Sequence, residues 1–132
     1  MAIKRYLADA DNTITNAFQE NLSIRGTGSN MGQADVLETF SIYAQESSTS
    51  TELARILIKF PVLEKIKIDR QNSIIPADGK VSFFLRMYNA RHQETLPKNY
   101  KLDVLAVSAS WEEGNGLDMV GYTDETYGGI GS

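Results

Sequence analysis

Between Glu52 and Phe60 apolar residues recur at every second position, with Ala54, Ile56, Ile58 and Phe60 in one phase and Leu53, Arg55, Leu57 and Lys59 in the other. Successive side chains of an extended chain project to opposite faces, so this pattern specifies a strand with one face in a core. The first phase is assigned to that core. Pro61 stops the strand, because its fixed φ and missing N–H cannot continue a ladder.

Weaker versions of the same alternation recur along the chain. Val36–Ala44 places Val36, Phe40, Ile42 and Ala44 opposite Leu37, Thr39, Ser41 and Tyr43, and Glu38 in the apolar phase marks a bulge or a strand edge. Gln45–Thr51 is a polar connection whose hydroxyls favour local backbone bonds, as a hairpin loop would. Val81–Tyr88 alternates Val81, Phe83, Leu85 and Met87 against Ser82, Phe84, Arg86 and Tyr88. Tyr100–Val107 sets Leu102, Val104 and Ala106 against Lys101, Asp103, Leu105 and Val107. Residues 1–10 read as a strand or extended arm, Asp9–Asn12 as a turn, and Thr13–Thr15 as a short strand.

Residues 24–35 hold Gly26, Gly28 and Gly32 among small polar residues and form a loop; no βαβ unit surrounds them to suggest a dinucleotide site. Leu63, Ile66 and Arg70 stand at three- and four-residue spacings, which gives one or two helical turns near 62–70, with a strand through Ile66 and Ile68 as the alternative. Pro76–Gly79 and Leu96–Asn99 are turn signals, and Met119–Tyr122 is the last strand-like stretch. About six strand-like segments and one short helix describe an all-β, antiparallel sandwich or barrel in a single domain, 1–132.

Composition narrows the partners. The 13 Lys and Arg are scattered among 17 Asp and Glu, for a net charge of -4. Binding a phosphate backbone or an anionic lipid surface requires clustered cations, so neither nucleic acid nor a membrane surface is an expected partner. With no Cys, disulfides, thiolate chemistry and Cys-ligated zinc are excluded. Lys4 and Arg5 near the start are followed by no apolar stretch of the kind a signal peptide needs, and no apolar run reaches the ~18 residues of a membrane helix.

Few side chains suggest chemistry. Asp9, Asp11 and Asn12 resemble the start of a calcium loop, although Thr13 and Ile14 stand where the EF-hand pattern requires Asp or Asn and Gly. These residues are either a turn or a structural Ca2+ site completed by Glu112, Glu113 or Asp118, one that would stabilise and not catalyse. Trp111 is the single Trp, and serves either as a buried anchor or as a sugar platform with Tyr88 and Tyr100; Tyr122 and Tyr127 are further stacking candidates. Glu112 and Glu113 beside it suggest a glycosidase acid, yet that chemistry needs two carboxylates opposed across a cleft, and strand neighbours face opposite ways. His92 lies in a polar connection without a Ser or Cys nucleophile motif and is read as a solvated loop residue.

Four pieces taken in order resemble one family. Asp9-Ala-Asp-Asn-Thr-Ile14, Ala54-Arg-Ile-Leu-Ile-Lys-Phe60, Val81-Ser-Phe-Phe-Leu-Arg-Met-Tyr88 and Val107-Ser-Ala-Ser-Trp-Glu-Glu-Gly114 are similar to segments of the DNRLRE, or carbohydrate-binding-module-like, domains of bacterial and phage surface proteins. The order also resembles virion proteins of tailed marine phages. The resemblance implies a jelly-roll β-sandwich and a virion or extracellular-surface location. It implies a non-catalytic structural or binding role, with other virion or surface proteins or a second copy as partners. Its alternative is a carbohydrate-binding module, and a glycan-cleaving enzyme is the third reading. After Trp111 no strong closing strands follow, so the domain is expected to be truncated at its C-terminal end, with a sheet edge that invites association.

Overall fold

A computed structural model describes residues 3–19, 21–27, 31–76, 79–91 and 98–118. His92, Tyr122, Tyr127, Gly28 and the Met119–Tyr122 stretch lie outside them, as do residues 77–78 of the turn before Gly79. The described residues fall into two units, 1–81 with the segment from Glu112, and 82–111.

The regular structure is a three-stranded antiparallel sheet and one short helix. Strands β1 (Ala10–Thr15), β2 (Ser41–Tyr43) and β3 (Thr51–Lys59) are followed by α1 (Val62–Gln71), and the sheet order is β1-β3-β2. β3 is the segment with the clearest alternation, and it takes the central position, where both of its edges are paired. Ala10 pairs with Lys59 and Thr15 with Ala54 along β1, and Tyr43 pairs with Thr51 at the start of the β2–β3 hairpin. The inward phase of β3 is the expected one: Ala54 is buried, and Ile56, Ile58 and Phe60 are half-buried. Glu52, in the same phase, is the most deeply buried residue of the strand, at 1% exposure.

The hairpin loop closes as its composition suggests. The Ser50 hydroxyl donates to Ser47 O and accepts from the amides of Glu46 and Ser47, while Ala44, at φ 59, turns the chain through the left-handed region. β2 is shorter than the alternation of Val36–Ala44 suggests. The ladder begins only where Phe40 O accepts the Ala54 amide, because the preceding backbone is held elsewhere, the Glu38 amide donating to the Thr13 hydroxyl.

The N-terminal part departs most from the sequence reading. Residues 3–8 are irregular, and the strand runs through Asp11 and Asn12, which were expected to turn the chain. Asn12 and Thr13 are both buried in it, on opposite faces, at 3% and 0% exposure. The strand tolerates them because each side chain bonds a backbone group of a covering segment, and those hydrogen bonds offset the cost of removing the polar group from water.

Residues 62–70 resolve as helix. Glu64 in its first turn and Arg70 in its last oppose the helix dipole correctly. Its end is a Schellman motif in which the Ser73 amide bonds Arg70 O and the Ile74 amide bonds Asp69 O, with Ser73 at φ 57 where Gly is usual. Buried Asp69 also receives the N-terminal arm, accepting from the Tyr6 hydroxyl at 2.7 Å and facing Lys4 Nζ at 3.2 Å. A small apolar cluster of Ala17 and Met31, flanked by Ala34 and Phe40, fills the space under the loops. Among the described residues no helix is long and apolar enough to cross a membrane.

Candidate functional site

The best-built polar arrangement is a junction on β1. Asn12 projects between two segments distant in sequence, its Oδ1 accepting the Met31 amide at 2.9 Å and its Nδ2 donating to Glu113 O at 2.7 Å. The Glu113 carboxylate turns back to accept the Asp11 amide at 2.8 Å, and the Gln33 amide donates to Gly116 O. A Cβ at Gly32 would collide with the Glu113 carbonyl, so only glycine lets the two backbones lie this close. Gly114, at φ 78, turns the segment onward.

A second polar node orders the loop after β1. Arg25 lies over the Phe18 ring at 3.9 Å and donates through Nη1 to Asn16 O and Thr51 O. Beside it, Glu52 Oε2 accepts the Phe18 amide at 2.8 Å, while Oε1 is buried without a partner among the described residues. The Asn16 amide oxygen accepts the Leu53 amide. The bonds to Thr51, Glu52 and Leu53 tie this loop to β3.

The carboxylates considered for a cation stand in different surroundings. Asp9 and Glu112 are exposed, and the Asp9 amide donates to Lys59 O as the sheet begins. Asp11 lies in β1 with its amide held by Glu113. Asp118 acts instead on Glu38, whose carboxyl is raised above 4.5, first by desolvation and then by the Asp118 charge. Among the described residues no group of three or more His, Asp or Glu is arranged to hold a metal ion. Sequence reasoning named Glu113 as an additional donor but missed that it bonds the β1 backbone; the only prior signal was the pairing of a Glu-Gly step with a strand carrying Asp and Asn.

The aromatic candidates belong to the second unit. Tyr88 and Tyr100 are exposed and Trp111 is half-buried, and the Arg86 guanidinium stands 5.0 Å from the Tyr88 ring. Lys98, Asn99, Tyr100 and Lys101 line a shallow, open depression.

The rest of this unit is the unexpected part. Both predicted strands, 81–88 and 100–107, run without turn or bend, yet neither is laddered. Among the described residues no backbone hydrogen bond joins 82–91 to 98–110. Large apolar side chains of both phases are consequently exposed: Phe83, Leu85 and Met87 with Phe84 and Tyr88, and Leu102 and Val104 with Leu105 and Val107. Phe84, at 88% exposure, and Leu105, at 82%, are nearly free of protein contact. Large apolar side chains exposed on both faces of a segment are a mark of interaction sites, and an extended segment with open N–H and C=O groups is a template for another strand.

Comparison with protein-family models, with curated proteins and with solved structures finds no match.

Proposed function

We propose that this chain is a non-catalytic building module of a larger protein assembly, whose exposed apolar segments 81–88 and 100–107 are completed by a neighbouring protein. The observation that carries the reading is the exposure of both phases of two extended, strand-patterned segments that lack a ladder. Strand addition supplies what they lack, main-chain bonds along the edge and cover for alternate side chains. The resemblance to virion and surface domains points the same way, toward a jelly-roll sandwich in a phage appendage or capsid-associated layer. Two of the four resembling pieces, Asp9–Ile14 and Val107–Gly114, meet at the Asn12–Glu113 junction, which supports a structural role for those residues.

Amide hydrogen exchange tests the reading. In dilute solution the amides of 82–91 and 98–107 should exchange near the rate of unstructured peptide, while those of β1 and β3 are protected. Slow exchange of 82–107 in a dilute monomer would show that the chain completes its own sheet and would overturn the proposal.

A second reading, glycan binding by Trp111 with Tyr88 and Tyr100, is favoured by the exposure of both tyrosines, at 78% and 65%, since open aromatic faces can stack on sugar rings. Trp111→Ala should abolish binding on a glycan array and leave circular dichroism unchanged. Turnover of a polysaccharide by the purified chain would displace both readings.

A further inference from the structure

We infer that residues 98–106 pair with the same residues of a second copy, as antiparallel strands about a two-fold axis at Leu102. The inference rests on the assembly reading above and names the partner. Lys101 and Asp103 stand two residues apart on one face of an unladdered segment, 2.9 Å from each other, with side chains 84% and 66% exposed. A two-fold axis through one residue of an antiparallel pair sets its predecessor opposite its successor in the other copy. With the axis at Leu102, Lys101 of each copy faces Asp103 of the other, which gives two identical ion pairs. An axis at Lys101 or Asp103 instead sets like charges against each other, so the charge pattern selects one register.

The apolar phase agrees with that register. Tyr100 faces Val104 of the other copy on both sides of the axis, and Leu102 faces Leu102, so each strand covers three exposed apolar side chains of its neighbour. Aromatic and β-branched side chains pair favourably across antiparallel strands. The backbone groups along one edge of 98–106 find partners in the same step. The same patch on both copies closes the assembly as a dimer through this edge.

Sedimentation of the whole chain over a range of concentrations tests the inference, with circular dichroism to confirm folding. The wild type should dimerise. Lys101→Asp and Asp103→Lys should each weaken the dimer about tenfold, because two attractive cross-strand pairs become two repulsive ones. The double variant K101D/D103K should recover to within about threefold. A cysteine at Leu102, in a chain that has none, should be cross-linked between copies by a short bismaleimide. A cysteine at Leu105 should not, as the two would lie six residues, ~20 Å, apart along the strands.

A dimer without rescue in the double variant, or with cross-linking at Leu105 equal to that at Leu102, overturns this pairing and leaves the assembly reading standing. A strictly monomeric chain whose 98–107 amides exchange slowly overturns both.

Discussion

Gly32 shows how one missing methyl group fixes a long-range contact. Its place against the Glu113 carbonyl lets the segment from Glu112 reach β1, where Asn12 and the Asp11 amide hold it. Gly32→Ala must displace backbone on one side or the other, so a loss of about 2 kcal/mol or more is expected in urea unfolding. A loss under ~0.5 kcal/mol would mean that the junction yields easily. Asn12 was legible as a polar residue but not as a buried one, because turn chemistry and loop pinning use the same side chains. Glu52 is comparable. It stands in the inward phase of β3, and only the Phe18 amide, 34 residues away in sequence, accounts for a carboxylate there.

β3 and α1 contrast in how they are specified. The nine residues of β3 alternate clearly enough to be placed, with the correct face inward, from the order of residues alone. For 62–70 helix and strand were both open, and what decides is the capped end and the tertiary bonds to Asp69. That cap carries a testable strain. Ser73 occupies a left-handed position that glycine adopts without a Cβ clash, so Ser73→Gly should raise stability by about 0.5–1 kcal/mol in thermal or urea unfolding. The bonds of Asp69 have a signature in pH. The Tyr6 hydroxyl, opposed by desolvation and aided by Lys4, holds the carboxyl below its ordinary 3.8. Below that value the unfolded chain takes up protons before the folded one, so this contribution is present above pH 3.8 and is lost as the pH falls. Desolvation, and then Asp69, raises the Tyr6 phenol above 10.0. That contribution is present below pH 10 and lost above it. Asp69→Asn should therefore flatten the stability profile at both ends, measured by urea midpoints from pH 2.5 to 11, and an unchanged profile would exclude the arm–helix contact.

Across the chain, burial is concentrated in the first unit, while the second exposes the side chains that the alternation marks as strand faces. Phe84→Ser should accordingly change the unfolding free energy in dilute solution by less than about 0.5 kcal/mol, as a substitution at an exposed site does. A loss above 2 kcal/mol would place the ring in a core. Local order is what the residue pattern carries: β3 and its inward face, the polar β2–β3 loop, the stop at Pro61 and the alternation of 81–88 and 100–107 all follow from period and turn chemistry within a few neighbours. Pairing is different, since a period-two segment states that it has two faces and not which strand lies beside it. The place of β3 at the centre of the sheet, the burial of Asn12 and Glu52, and the meeting of Glu113 with β1 across 102 residues depend on contacts between segments far apart in the chain. Such contacts exist only once the backbone has closed around them.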